Sequence, residues 1–225
     1  MAEIKILVIN PNSTAAATEG ILTAAREYAA GHFQVDALGN ADGPDFIDTD
    51  EDRIAAAPGM RRIVEQTAGQ YDGYVVACHC DPNVPALRRL TDRPVVGIGE
   101  ASIRMAALLG RPFAVVTTGE ASLPHKRRQL AALGLDAVPC RPGVAIEGAG
   151  EAENSMYLRL LRGAQTAVEQ DGAQVIVPAI TGFPGLDRFI EERLCVSVVD
   201  GLACALFLCR DLSEYAEQKK RKEKG

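Results

Sequence analysis

The sequence predicts an α/β protein of two pseudo-symmetric lobes, each a mostly parallel sheet flanked by helices, with the active site expected in the cleft between them. Three observations lead there. Short apolar, β-branched runs alternate with longer helical stretches along the whole chain. Those runs are apolar throughout, as strands covered on both faces are. The second half also echoes the first. "KILVINPNST" (5–14) answers to "PFAVVTTGEAS" (112–122), "DGYVVACHCDP" (72–82) to "GAQVIVPAITGFPG" (172–185), and "RPVVGIGEASIRMAALL" (93–109) to "LCVSVVDGLACALFL" (194–208).

Taken in order, strands are predicted at 4–9, 33–38 and 73–77, with helices over 14–30 and 52–69 between them. The run stops at Asn10-Pro11, and Ser13 or Thr14 is placed to cap the helix that follows. The acidic stretch 48–52 precedes a helical pattern, where carboxylates complement the helix dipole. Further strands fall at 94–98, 113–117, 136–140, 174–177 and 197–199, again separated by helices. The basic tail from residue 217 reads as a frayed helix end. One lobe is expected to comprise residues 1–98 and 205–225, the other 99–204.

Composition narrows the function. In 225 residues, 47% are hydrophobic and 24% charged, a globular balance. A formal charge of -6 without a basic cluster before residue 218 argues against a nucleic-acid partner. The N-terminal segment enters a strand instead of forming a secretory leader, and the longest apolar run, near 202–209, is too short for a bilayer. A cytoplasmic protein with no membrane partner is expected. Of the six cysteines, Cys195, Cys204 and Cys209 sit among apolar neighbours and read as small buried hydrophobes, while Cys140, between prolines, reads as a loop thiol.

Ligands of open parallel sheets bind at the carboxyl ends of the strands. Asn10, Asn12 and Ser13 follow the first strand, where two asparagines around a proline exceed what capping needs. Thr117, Thr118 and Gly119 hold the corresponding place in the second half. "GIGEAS" (97–102) lacks the third glycine of a dinucleotide loop, and no phosphate-loop lysine pattern occurs, so no nucleotide cofactor is expected.

Cys78-His79-Cys80 is the most chemical stretch. The thiols are one residue apart, and no second ligand cluster accompanies them, so a metal is not expected. A thiol at a strand end near helix N-termini can have its pKa drawn below about 8.5 and act as base or nucleophile. Cys78 is the candidate, with His79 and Cys80 as helpers.

Together, "INPNST", "VVACHCDP", "GIGEAS", "VVTTGEAS" and "VVDGLACAL" resemble the aspartate/glutamate/hydantoin racemase superfamily, above all its hydantoin and allantoin racemase branch. The resemblance spans nearly the whole chain. It implies cofactor-free chemistry on a small acidic or cyclic-imide substrate, a homo-oligomer, and two cysteines, one per lobe, on opposite faces of the acidic carbon. Cys78 matches the first, and Asn10 and Asn12 match the substrate-anchoring loop. The second lobe departs from the pattern, because Ile180 or, shifted by one, Thr181 stands where the other cysteine is expected. If the segment stays extended, Cys78 and Cys80 lie about 6.6 Å apart on one side of it. One-cysteine lyase or hydrolase chemistry on a hydantoin-like or thiohydantoin-like acid is therefore expected, with amides near 117–119 holding the developing charge. The alternatives are a racemase with a different second base and a silent binding scaffold. Phe46 stands near where that branch has a small polar residue and hints at an altered pocket.

Overall fold

The computed structural model describes residues 3–224. The chain forms two compact units, one running to Ala101 and resuming at Leu202, the other Ser102–Gly201.

The first unit contains β1 (Lys5–Asn10), α1 (Ala15–Ala29), β2 (Gln34–Gly39), α2 (Asp50–Gln66), β3 (Gly73–Val76), the single turn α3 (Val84–Leu87) and β4 (Val95–Gly97). Its four strands are all parallel in the order β2-β1-β3-β4. Leu7, Ile9, Tyr74 and Val76 pack on Ala56, Met60 and Val64 of α2. Their neighbours Ile6, Val8 and Val75 are equally buried on the other face, which explains why these strands are apolar throughout. Each such side chain contributes about 1.5–3 kcal/mol on leaving water. α2 begins with a capping box in which Thr49 accepts from the Asp52 amide and Asp52 accepts from the Thr49 amide. The final helix α8 (Gly201–Lys224) is tied to this sheet, since Cys209 Sγ contacts the Tyr74 carbonyl and Ser213 Oγ donates to that of Asp72. Its basic end is helical to Lys224, so the tail is the end of this helix as expected, and Glu217 there pairs with Arg93 at 2.8 Å.

β4 runs directly into α4 (Ile98–Leu108), within which the chain enters the second unit. There follow β5 (Phe113–Thr117), α5 (Leu123–Ala132), β6 (Cys140–Pro142), α6 (Met156–Asp171), β7 (Val175–Pro178), α7 (Leu186–Leu194) and β8 (Ser197–Val198). The parallel order β6-β5-β7-β8 repeats that of the first sheet, so the sequence echoes mark two copies of one topology. Ala114, Val116 and Ile176 pack on Leu160, Ala164 and Ala167 of α6 and on Leu186 and Ile190 of α7.

Two expectations need correction. The strand predicted at 136–140 lies at Cys140–Pro142, because Leu135 and Val138 are used in turns that close α5, and Cys140 is the residue level with Val115. Pro142 is tolerated because β6 is an edge strand, and Cys140 is thus a strand residue. Cys195, expected to be buried, is exposed: it ends α7 in the left-handed region at φ 53°, its amide donating to Glu191. Cys204 and Cys209 are buried as anticipated. Among the described residues no helix is long and apolar enough to cross a membrane.

Candidate active site

The loop after β1 is a closed polar lattice. Asn10 is 1% exposed, and its amide nitrogen donates to Asn12 Oδ1 (2.8 Å) and Thr18 Oγ1 (3.0 Å), while its oxygen accepts from the Asn12 amide (3.3 Å). Every polar group of Asn10 is thereby occupied. Asn12 differs. Its oxygen also accepts from the Thr14 amide at 3.1 Å, but its Nδ2 has no partner among the described residues. Ser13 Oγ donates to Asp45 Oδ1 (2.7 Å) and Thr14 Oγ1 to the Asp45 carbonyl (2.9 Å), which clips this loop to the one after β2, where the adjacent Phe46 is 69% exposed. Buried Asn40 braces the lattice by donating to the Pro11 and Ala56 carbonyls.

After β3 the chain does not stay extended. Asp81 N donates to the Cys78 carbonyl (2.9 Å), and Asp81 and Asn83 adopt left-handed backbone at φ 50° and 61°. This turn brings Cys78 Sγ and Cys80 Sγ to 3.3 Å, about half the separation expected of an extended segment. The strained Asp81 is held because its carboxylate accepts from the Gly99 (2.8 Å) and Glu100 (2.6 Å) amides. α4 starts without a loop, so its first N–H groups need an acceptor from elsewhere, and Asp81 supplies it. Only glycine at 97 permits this, since a Cβ there would collide with that carboxylate. The weak "GIGEAS" signal is therefore a strand-to-helix junction.

Both thiols are partly exposed, and His79 is buried. The Cys78 thiol is pushed well above its ordinary value, first by its hydrogen bond to Cys80, then by burial and by negative charge at Cys80 and Asp81. This reverses the expectation of a lowered pKa. At neutral pH Cys78 therefore keeps its proton. Arg53 of α2 reaches the pair. Its burial opposes charge, but hydrogen bonds to Asp50 and to Cys80 hold the guanidinium above its ordinary value. Asn83 Nδ2 donates to the Arg53 carbonyl at 2.8 Å, fixing α2 to the turn. Among the described residues no cluster of three His, Cys, Asp or Glu is arranged to hold a metal.

In the second unit Thr117 is fully buried, and its hydroxyl donates to the Gly119 carbonyl (2.8 Å); Thr118 Oγ1 lies 3.2 Å from Ser122 Oγ. The Thr118 and Gly119 amides have no acceptor among the described residues, so this loop offers two free donors. Arg159 braces it by donating to the Thr118 carbonyl at 3.0 Å.

Register decides what matches Cys78. Ala77 N donates to the Ile9 carbonyl (2.9 Å), and Ala179 N donates to that of Val116 (2.7 Å). With Val76 level with Ile9 and Pro178 level with Val116, Ala179 corresponds to Ala77, and Ile180 to Cys78. Thr181 then corresponds to His79. Ile180 packs against the core of its unit. A shallow hollow beside it is lined by Thr181, Phe183, Asp187 and Asp200.

Asp81, Arg53 and Asn40 escaped the sequence reading. Asp81 was quoted only as part of the thiol stretch, and the one available signal was a carboxylate ahead of a strand that ends in glycine.

Two same-order parallel sheets, with the thiol pair on a loop beyond the carboxyl edge of the first and free amides beyond that of the second, define an α/β protein of two repeated parallel-sheet units. Residues 6–209 match the model of the Asp/Glu/hydantoin racemase family, and the chain belongs to that family. It is 33% identical over 218 residues to a hydantoin racemase of Paenarthrobacter aurescens, covering 93% of this chain and 91% of the relative. Allantoin racemase structures from Klebsiella pneumoniae and Pseudomonas fluorescens superpose with TM-scores of 0.83 and 0.85 at 29% and 28% identity, each over 95% of this chain and over 89% and 92% of their own.

Proposed function

We propose that this protein is a cysteine-dependent enzyme acting on a small hydantoin-like or thiohydantoin-like carboxylic acid, with Cys78 as its one thiol acid. The observation that carries this reading is the pairing of a raised Cys78 thiol with hydrocarbon at the matching position, Ile180. Two-base racemisation needs a second proton-active group, which isoleucine is not. Lyase chemistry suits a protonated thiol best. When a carboxylate leaves as carbon dioxide, the carbanion takes the Cys78 proton. In the hydrolase variant, Cys78 must first pass its proton to Cys80 or His79 before attacking a ring carbonyl.

A second reading, a hydantoin-type or allantoin-type racemase with a non-thiol second base, is favoured by the names of the relatives and by Asp187 and Asp200 beside Thr181. Incubating one enantiomer of a 5-substituted hydantoin in D2O separates the two. Under the one-thiol reading the optical rotation persists, and a carboxylated analogue is converted to a product deuterated on the acidic carbon. Loss of rotation with exchange of that hydrogen instead makes the protein a racemase. Cys78→Ala abolishes turnover in either case, and turnover on the protonated thiol holds through neutral pH and past the ordinary thiol value of 9.0, declining only well above it.

A further inference from the structure

The dithiol has a property that proton transfer does not use. The sulfurs of two partly exposed residues stand 3.3 Å apart on a turn that already faces them toward each other. A disulfide needs about 2.05 Å, so closure asks for roughly 1.3 Å of approach. The turn is anchored outside the thiols, at Asp81 by two α4 amides and at Asn83 by the Arg53 carbonyl, so the sulfurs can move without unfolding it. The pair is also polarised. Arg53, with a side chain 14% exposed, is bonded to Cys80 and so sets a cation beside that sulfur, which lies 3.3 Å from Cys78 Sγ.

We propose that Cys78 and Cys80 are a modification site that closes to a reversible disulfide on reaction with a hydroperoxide, Cys80 being the sulfur oxidised first and Arg53 the residue that positions it. The Cys80 thiolate attacks one peroxide oxygen, and the O–O bond breaks. The other oxygen leaves as alcohol or water with a proton, giving a sulfenic acid. The Cys78 sulfur then displaces that hydroxyl from Cys80, and its own proton leaves with it as water. Two thiols and one hydroperoxide thus give one disulfide, one alcohol and one water. Closure removes the thiol assigned above as the acid, so the consequence for turnover rests on that reading. The chemistry itself does not.

The other cysteines lack this arrangement. Cys204 and Cys209 are buried, burial raises Cys140, and Cys195 is exposed but has no neighbouring thiol in contact. Cys195 is therefore the internal control.

The test is site-resolved mass spectrometry on the full-length protein after stoichiometric hydrogen peroxide and alkylation. The expected result is a loss of two hydrogens on the peptide containing Cys78 and Cys80, reversed by dithiothreitol. Cys80→Ser is expected to leave Cys78 at least tenfold slower to oxidise, and Cys78→Ser to leave a sulfenic acid on Cys80 that a dione probe traps. Arg53→Met slows oxidation of Cys80 about three- to tenfold at neutral pH, and Arg53→Lys restores part of the rate. Far-UV circular dichroism checks that each variant is folded. Gain of two oxygens on either thiol of the wild type without the disulfide, or unchanged oxidation of Cys78 in Cys80→Ser, overturns the proposal. Absence of turnover on every hydantoin tried would sink the functional reading and leave the mass result standing.

Discussion

Replacing Ile180 by cysteine restores, at the position that register makes equivalent to Cys78, the proton carrier that the one-thiol reading says is missing. The structure sets both the cost and the gain. Ile180 is partly buried against the second unit's core, so shortening it to cysteine costs about 1–2 kcal/mol. A domain stable by about 5–15 kcal/mol remains folded after that loss. A correctly placed acid–base group contributes about 10²- to 10⁴-fold to a proton transfer. Exchange of the acidic hydrogen with D2O, and racemisation of a 5-substituted hydantoin, are accordingly expected to rise at least about 10²-fold over wild type in I180C. The double variant C78S/I180C falls back to the wild-type level. The assay is polarimetry on each enantiomer, with proton NMR following deuterium uptake. A folded I180C with no increase refutes the reasoning, because the isoleucine would then not be what limits proton exchange.

Three further outcomes follow from the polar loop and from the helix that backs the first sheet. Asn12→Ala, which removes a side-chain amide without a partner among the described residues, raises KM in steady-state kinetics with the fold intact, whereas Asn10→Ala lowers unfolding stability by about 1–3 kcal/mol in urea denaturation by deleting a buried side chain that bonds Asn12 and Thr18. Burial lifts the Cys209 thiol from 9.0 to about 12, so the fold binds its proton more tightly than the open chain does; this contribution is complete below pH 9 and is lost toward pH 12 at up to about 1.4 kcal/mol per pH unit, a slope that Cys209→Ala removes in denaturation curves compared between the two proteins.

The class of fold was legible because its cause is local. Strands covered on both faces must be apolar at every position, and Leu7, Val8 and Ile9 or Val175, Ile176 and Val177 say so without any partner in view. The Cys78-His79-Cys80 stretch was legible as chemistry for the complementary reason, since thiols and imidazole after such a run need an explanation. What escaped depends on backbone paths that no periodicity records. The sign of the Cys78 shift follows from a turn that folds Cys80 back onto it, and that turn exists because α4 lacks a cap of its own. Arg53 lies 25 residues before Cys78 and joins it only through the packing of α2. The strand assigned to 136–140 failed likewise, because its placement is set by register with Val115 and not by the apolar content of the segment.

The two units begin from the same topology, so the difference at their carboxyl edges needs a physical cause, and helix capping provides one. In the first unit Val76 is level with Gly97, which lets the Asp81 carboxylate lie across it to reach α4. The same register in the second sheet, Ile176 level with Val198, puts Asp200 where Gly97 stands and Phe183 where Asp81 stands. A carboxylate is thus already present directly ahead of α8, where it favours the helix dipole. The turn after β7 is thereby released from capping duty, and Phe183 and Ile180 fold onto the core of their unit. Once that turn no longer presents a carboxylate to a helix, nothing in the capping arrangement demands a polar residue at 180 or 183. The first turn cannot drift the same way without uncapping α4, so its polar framework, with the thiols mounted on it, persists. Conversion of the second turn back to an acid–base site should therefore require only the residue at 180, leaving Asp200 in place, which is why the single substitution I180C is the sharpest probe of this protein's chemistry.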